Sequence, residues 1–257
     1  MPRRKVIAVG ITGGIAAYKV AELVSRLTKK GYEVHVIMTA SAQKFITPLT
    51  FRTLSGNPVI TDMFDPSPLW NVQHVSLAEK ADAFVIVPAT ANIIGKIANG
   101  LADDMLSTTV MAAQCPVVLA PAMNVHMWEN PVVQSNIKKL ENLGYRLVDP
   151  GVGRLACGTE GKGRLADIDS IEEALISLLE KPKDFLGKKV LVTAGPTREV
   201  IDPVRFLTNH STGKMGYEIA RAAKERGAEV FLVSGPANLA DPEGVIVKRV
   251  VSAREMF

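Results

Sequence analysis

Along the first 180 residues, short apolar runs alternate with stretches that have apolar residues at helical spacing. Most of the runs are apolar at successive positions, which is typical of strands buried on both faces of a parallel sheet. The predicted strands are Val6–Val9, Glu33–Met38, Ala83–Val87, Val117–Ala120 and Arg146–Val148. The predicted helices are Ile15–Lys29, Ile93–Ala98, Met105–Ala113, Val132–Leu143 and Ser170–Leu179. We therefore expect a doubly wound, parallel α/β domain over residues 1–180.

A second unit begins after a charged stretch, residues 180–189, that contains a proline and a glycine and is typical of a domain seam. Apolar runs at Val190–Thr193, Val230–Ser234 and Val245–Val250 then surround a helical pattern at Tyr217–Arg226. A doubly wound sheet normally has more than three strands. The pattern therefore predicts an incomplete, Rossmann-like α/β domain over residues 187–257.

Composition excludes several classes of protein. Hydrophobic residues make up 47% of the chain and charged residues 22%, so a disordered chain is excluded. No apolar stretch reaches eighteen residues, so no membrane span is expected. Two cysteines, without a Cys-x-x-Cys motif, predict neither a disulfide scaffold nor a metal site and fit a cytoplasmic protein. The net charge of +4 is scattered and aromatic residues make up only 5%, which argues against nucleic-acid binding.

The N-terminus has two interpretations. Arg3-Arg4-Lys5 followed by apolar residues resembles a signal peptide. However, glycines interrupt the apolar run, and an amphipathic helical pattern with Val20, Leu23, Val24 and Leu27 follows. We therefore favour a strand, a glycine loop and a helix.

Three loops that follow predicted strands, and the polar end of the second predicted strand, carry candidate chemistry. Gly10–Ala17 is glycine-rich and precedes a helix, an arrangement that suits a phosphate group. Thr39-Ala40-Ser41 ends the second strand without the acidic residue that dinucleotide sites use, which favours a mononucleotide such as FMN over NAD. Pro88–Asn92 and Pro121–Asn124 end two further strands. Each loop alone is compatible with an ordinary turn, but together they predict one ligand crevice.

Histidine and cysteine supply the candidate reactive groups. A single histidine such as His74 is more often structural than catalytic. Cys157 lies in Pro150–Asp167, which has five glycines and few apolar anchors. We expect a mobile flap there, with Cys157 as a reactive or proton-donating thiol. Cys115 is expected to be a small buried hydrophobic residue.

These residues together resemble the flavin-dependent cysteine decarboxylases. The resemblance rests on His74, on the Cys157 flap, and on the segments Gly13–Lys19, Pro88–Asn92, Gly100–Thr108 and Pro121–Asn124. Thr193–Glu199 and Asp202–Gly216 resemble the start of the phosphopantothenate–cysteine ligases. The two families occur fused in bifunctional proteins of coenzyme A biosynthesis.

The resemblance implies a flavodoxin-like, flavin-binding fold. It also implies FMN as cofactor and the decarboxylation of 4′-phosphopantothenoylcysteine to 4′-phosphopantetheine. His74 is implied as the base or orienting residue of the first steps, and Cys157 as the proton donor to an ene-thiolate. Asn124 is implied to hold the substrate carboxylate. The residues implied to bind FMN are Gly13, Gly14, Ile15, Ala16, Thr39, Thr90, Ala91, Asn92, Ile93, Ser107 and Ala122. The family also implies a homo-oligomer, trimers that assemble into a dodecamer.

The ligase family implies CTP and Mg²⁺, with Asn209 and Arg205 acting on the acyl intermediate. Its remaining nucleotide-binding residues would follow residue 257, so we expect a truncated and inactive ligase unit. Three alternatives remain for the first unit: an FMN-binding regulatory protein like the phosphatase inhibitors of this fold, a peptidyl-cysteine decarboxylase, or a flavin prenyltransferase.

Overall fold

The computed structural model describes residues 3–63, 73–154, 160–179 and 183–257. The chain divides into two compact units, Met1–Leu179 and Glu180–Phe257. The strands of the first unit are β1 Val6–Ile11, β2 Glu33–Met38, β3 Val59–Ile60, β4 Ala83–Ala89, β5 Val117–Pro121, β6 Arg146–Leu147, β7 Gly151–Arg154 and β8 Glu160–Arg164. Its α-helices are α1 Val20–Lys29, α2 Pro48–Ser55, α3 Gln73–Lys80, α4 Ala91–Ala98, α5 Met105–Ala112, α6 Val125–Trp128, α7 Pro131–Asn142 and α8 Ile168–Leu179. Ile15–Lys19 and Ala42–Lys44 are short 3₁₀ helices.

The described residues of the first unit form a six-stranded parallel sheet in the order β3-β2-β1-β4-β5-β6. Without the two-residue edge strand β3, this is the flavodoxin-like order 2-1-3-4-5. The predicted fold class is confirmed. The direction of winding reverses between β1 and β4, and ligands of such sheets bind outside the carboxyl ends of the strands at this reversal.

The core explains why the strand sequences are apolar at successive positions. Every residue of β1 and of β4 is buried. Val9 and Val85 pack on one face with α1 and α8, while Ala8 and Phe84 pack on the other with α4, α5 and α7. Successive strand residues therefore enter opposite cores, and a polar residue on either face would cost its desolvation.

Some elements differ from the sequence predictions. The predicted helix Ile15–Lys29 begins as a 3₁₀ helix, in which the Ala17 N–H donates to the Gly14 carbonyl oxygen at 2.9 Å, and continues as α1. The pattern missed α2, which buries only Phe51 and Ser55, although Pro48 at its first turn and the left-handed Gly56 after it are boundary signals. The segment predicted as a flap contains an antiparallel pair, β7 and β8, and Cys157 lies outside the described residues.

The second unit contains a three-stranded parallel sheet in the order β13-β12-β9. Its apolar runs predicted these three strands but not their order. Its strands are β9 Lys189–Ala194, β10 Glu199–Val200, β11 Phe206–Leu207, β12 Glu229–Ser234 and β13 Ile246–Arg249, and its helices are α9 Lys214–Glu225 and α10 Ala253–Met256. Helix α9 packs on the sheet so closely that a Cβ atom on Gly216 would lie 2.5 Å from the Ala194 Cβ atom. No helix in the described ranges has the length and the apolar content needed to cross a bilayer.

Candidate functional site

The first unit has a cavity of about 970 Å³ at the carboxyl edge of its sheet. The loops after β1, β2, β4 and β5 and the end of β8 line it. The structure brings ten of the eleven residues predicted to bind the cofactor to this cavity: Gly13, Gly14, Ile15, Ala16, Thr39, Thr90, Ala91, Asn92, Ile93 and Ala122. Their contacts with a cofactor stay a prediction, but their convergence at one edge follows from the parallel sheet.

Thr12 connects the glycine loop after β1 with the Pro88–Asn92 loop at the end of β4. Its buried hydroxyl donates to the Pro88 carbonyl oxygen at 2.6 Å and lies 3.2 Å from the Thr90 hydroxyl oxygen. The Thr90 N–H donates back to the Thr12 hydroxyl at 3.3 Å. Thr12 was not among the predicted site residues. A hydroxyl side chain inside the apolar and glycine-rich run was the only signal in the sequence.

Gly13 fixes the glycine loop against the loop that follows β2. A Cβ atom on Gly13 would lie only 2.4 Å from the Ser41 Cβ atom. Because this distance is far below ordinary contact, any side chain here would push the two loops apart. The glycine therefore sets the width of the cavity at this end.

The loop after β5 carries Asn124, which is the N-cap of helix α6. Its Oδ1 atom accepts a hydrogen bond from the His126 backbone N–H at 2.8 Å. This cap fixes the direction of the side-chain amide, so that the Nδ2 atom is the group able to donate to an anion. Asn124 lines the cavity.

The backbone of strand β8 contacts the loop after β5. The Met123 N–H donates to the Gly163 carbonyl oxygen at 2.9 Å. A Cβ atom on Gly163 would lie 2.4 Å from the Met123 carbonyl oxygen, and the φ of Gly163 is +150°. Glycine is therefore required at this position by both space and backbone conformation. The next residue, Arg164, also lines the cavity.

Ser107 does not line the cavity. It is almost fully buried in α5, where its N–H donates to the Asp104 Oδ1 atom at 2.8 Å and its hydroxyl accepts from the Asp104 N–H at 3.1 Å. Asp104 does line the cavity and caps α5 through this reciprocal pair. The structure thus places Ser107 behind Asp104, and contact of Ser107 with the cofactor stays a prediction.

Lys96 holds Asp104 from the cavity side. Its Nζ atom lies 2.9 Å from the Asp104 Oδ2 atom and 2.6 Å from the Asp103 Oδ1 atom. Burial acts to lower the pKa of Lys96, but the hydrogen bonds to the two carboxylates outweigh it, and the pKa is raised. Lys96 therefore stays charged and compensates the two carboxylates beside it.

The side chains of the two predicted catalytic residues, His74 and Cys157, lie outside the described residues. The structure describes His74 only as a residue of helix α3, and it does not describe Cys157. Burial raises the pKa of the Cys115 thiol, which packs at the edge of the core and remains protonated at neutral pH. Across the described ranges, no group of three His, Cys, Asp or Glu side chains is arranged to hold a metal ion.

The second unit has a smaller cavity of about 460 Å³. The end of β9 and the loop before α9 line it, with residues Thr193, Ala194, Gly195, Met256 and 210–216. Asn209 is adjacent to this loop, and its Oδ1 atom accepts from the Ser211 N–H at 2.9 Å. Arg205 lies outside the lining and pairs with Asp202, Nε to Oδ2, at 2.6 Å. The structure therefore brings neither predicted ligase residue into the cavity lining.

Comparison with family models identifies the first unit. The model described as Flavoprotein matches residues 1–180. The chain belongs to this flavoprotein family. The model described as DNA/pantothenate metabolism flavoprotein C-terminal domain matches residues 185–257.

Individual relatives agree with this family. The chain is 51% identical, over 91% of its length, to the coenzyme A biosynthesis bifunctional protein CoaBC of Bacillus subtilis (strain 168). It spans 58% of that protein and about three fifths of the other bifunctional relatives that it matches. A PPC decarboxylase mutant complexed with pantothenoylaminoethenethiol is similar to 70% of the chain over 100% of its own length, with a TM-score of 0.63 and 32% identity. The FMN-dependent cysteine decarboxylase SpaF is similar to 69% of the chain over 98% of its own length, with a TM-score of 0.58 and 35% identity.

The cavity of this flavoprotein fits a flavin in size and chemistry. Its volume lies in the range of cofactor sites. Ile15, Ile93 and Ala122 offer apolar surface for a ring system. Gly13 and Gly14 precede the 3₁₀ helix, where backbone N–H groups suit a phosphate.

Proposed function

We propose that residues 1–180 form an FMN-dependent decarboxylase that converts 4′-phosphopantothenoylcysteine to 4′-phosphopantetheine in coenzyme A biosynthesis. The convergence of the glycine loop, Thr90–Ile93 and Asn124 on one cavity carries this proposal. The similarity to bifunctional coenzyme A biosynthesis proteins over most of the chain supports it over a regulatory FMN-binding protein and over the other decarboxylases and prenyltransferases of this fold.

Bound FMN would supply the redox chemistry, taking up and returning a hydride. The remaining tasks fall to the protein: to hold the substrate, to exclude water and to move protons. The Asn124 amide, whose direction the cap on α6 fixes, would donate from Nδ2 to the substrate carboxylate. As a neutral donor it orients the carboxylate without an ion pair that would oppose the loss of CO2.

His74 and Cys157 are proposed as the proton-transfer residues. His74 would act as base or orienting residue for the substrate thiol, and the Cys157 Sγ–H would protonate the ene-thiolate carbon. Support for the second role comes from the similar PPC decarboxylase, whose solved structure is that of a cysteine-to-serine mutant complexed with pantothenoylaminoethenethiol, an ene-thiol.

The second unit is proposed as the N-terminal part, residues 187–257, of a phosphopantothenate–cysteine ligase that uses CTP and Mg²⁺. The matching C-terminal family model supports this assignment. Asn209, next to the loop that lines the smaller cavity, and Arg205 would contact the acyl intermediate. We further propose a cytoplasmic enzyme that assembles as a homo-oligomer of trimers, up to a dodecamer.

A direct experiment tests the decarboxylase. The purified chain is loaded with FMN, incubated with 4′-phosphopantothenoylcysteine and analysed by mass spectrometry for loss of CO2. Formation of 4′-phosphopantetheine is expected. A protein that binds no FMN, or that holds FMN and leaves the substrate intact, would overturn the proposal. A parallel incubation with CTP, Mg²⁺, phosphopantothenate and cysteine measures ligase activity.

A further inference from the structure

One wall of the cavity in the first unit carries a cluster of three charges, Lys96, Asp103 and Asp104. The Lys96 Nζ atom lies 2.6 Å from the Asp103 Oδ1 atom and 2.9 Å from the Asp104 Oδ2 atom. Lys96 and Asp104 both line the cavity, whereas Asp103 is more exposed. Since one ammonium group faces two carboxylates, the cluster has a net charge of one negative unit.

Two helices hold the cluster in place. Lys96 lies one helical turn after Asn92 and Ile93, so the three side chains share the face of α4 that lines the cavity. Asp104 is the N-cap of α5, and its Oδ1 atom accepts from the Ser107 N–H at 2.8 Å. The Lys96 side chain is only 18% exposed and the Asp104 side chain 31%. Both charges are therefore fixed at a partly buried wall, where salt and water screen them less than on the surface.

The charges lie within electrostatic reach of whatever fills the cavity. A cavity of about 970 Å³ is roughly 10 Å across, which is comparable with the Debye length at physiological ionic strength. Ile93, on the same face of α4 as Lys96, also offers apolar surface for a ring system. A ring bound against this face therefore lies close to the cluster.

A flavin changes its charge when it is reduced, so charges on the cavity wall favour one redox form over the other. This step rests on the proposed function, in which bound FMN takes up a hydride and returns it. The oxidised ring system is neutral, and uptake of a hydride, two electrons and one proton, makes it an anion. A nearby positive charge stabilises the anion and raises the reduction potential, and a negative charge lowers it. We propose that Lys96 and Asp104 set the reduction potential of the bound flavin, Lys96 by raising it and Asp104 by lowering it.

The small net charge of the cluster suits a flavin that must both accept and return a hydride. A strongly positive wall would favour the reduced form and oppose the return of the hydride. A strongly negative wall would oppose its uptake. Because Lys96 stands between two carboxylates, the opposing effects largely cancel.

Variants that change the charge of the cluster in opposite directions test this inference. The reduction potential of the FMN-loaded protein is measured against a reference dye during reduction with dithionite. In Lys96→Met, we expect the affinity for reduced relative to oxidised FMN to fall about tenfold, which lowers the potential by about 30 mV. Asp104→Asn keeps the N-cap of α5 but removes one negative charge, and a shift of similar size to a higher potential is expected.

Three further variants separate the effect of charge from structural damage. The double variant Lys96→Met/Asp104→Asn has the net charge of the wild type, and Lys96→Arg keeps the cation, so both are expected to have potentials near that of the wild type. Lys139→Met makes the same change at an exposed position of α7 that does not line the cavity, and it should leave the potential unchanged. A purely structural role would move both single variants in one direction and the double variant further. That result, or wild-type potentials in both single variants, would overturn the inference.

The potential is measured without substrate, so the test is independent of turnover. Opposite shifts in the two single variants of a protein that releases no CO2 from 4′-phosphopantothenoylcysteine support the inference and overturn the proposed activity alone. Release of CO2 by a protein whose single variants keep the wild-type potential overturns the inference alone. A protein that holds no FMN overturns both.

Discussion

The carbonyl oxygen of Met123 occupies the place where Gly163 would carry a side chain, 2.4 Å from that Cβ position. The Met123 N–H also donates to the Gly163 carbonyl oxygen. Two backbones 40 positions apart in sequence are thus in direct contact. This contact joins β8 to the loop that carries Asn124.

Gly163→Ala is expected to break this contact. A backbone oxygen cannot move aside as a flexible side chain can, and the φ of +150° strains any residue with a Cβ atom. We expect the free energy of unfolding to fall by about 1–3 kcal/mol and kcat/KM to fall more than FMN affinity does. Urea unfolding, steady-state kinetics and FMN titration measure the three quantities.

Gly144→Ala provides the control for this variant. Gly144 also has a positive φ, of +92°, but a Cβ atom there would meet nothing within 4 Å. Only backbone strain remains, so stability falls slightly while kcat/KM is retained. Equal kinetic losses in the two variants would contradict a specific role of the Met123 contact.

Thr12→Val keeps the side-chain volume but removes the hydroxyl that connects the glycine loop with the Pro88–Asn92 loop. The Pro88 carbonyl then loses a donor, and we expect a destabilisation of about 1–2 kcal/mol. Since the loops line the cavity, the Kd for FMN should rise by roughly tenfold. Thr109→Val is the matched control, because Thr109 is also buried and its hydroxyl donates to the Met105 carbonyl oxygen within α5. Thr109→Val should lose stability without losing FMN affinity; an unchanged FMN Kd in Thr12→Val would refute the role of Thr12.

Because of Asp104, the stability of the first unit should decrease at acidic pH. Burial acts to raise the pKa of Asp104, but the hydrogen bonds from the Ser107 N–H and from Lys96 outweigh it, and the pKa is lowered. The charged form therefore stabilises the fold above the ordinary carboxyl pKa near 4, and this stabilisation is lost as pH falls through the lower folded-state pKa.

Asp104→Asn isolates this contribution because asparagine remains a good N-cap. At pH 7 the variant should be less stable than the wild type by no more than about 1 kcal/mol, and the difference should shrink below pH 4. Denaturant unfolding between pH 7 and pH 3 measures it. Asp103→Asn, which leaves the α5 cap intact, should cost less. A difference in unfolding free energy between the wild type and Asp104→Asn that grows as the pH falls would contradict the prediction.

Cys157→Ser tests the proposed proton donor. A serine hydroxyl is a far weaker acid than a thiol, so CO2 release should continue while reduction to 4′-phosphopantetheine slows. Mass spectrometry should then detect an ene-thiol species. Cys115→Ser serves as the control, because the pKa of its half-buried thiol is raised and it does not line the cavity. Formation of the reduced product at the wild-type rate in Cys157→Ser would exclude the proposed role.

The sequence by itself determined the sheet and the edge at which the site lies. Successive apolar residues in β1 and β4 require cover on both faces, and covered parallel strands bring the loops after them to one edge. The glycine loop, Thr90–Ile93 and Asn124 could therefore be predicted as neighbours from local patterns alone. The three parallel strands of the second unit followed from the same reasoning.

Only the tertiary structure decided how these loops are held together. Thr12 and Pro88 are 76 positions apart, and neither residue type indicates its partner. The pairing of β7 with β8, the contact of Gly163 with Met123 and the position of Ser107 behind Asp104 likewise arise from contacts between separate segments. Periodicity reports which face of an element is buried. It does not report which distant polar group or backbone atom an element meets, because packing of the whole chain sets those distances.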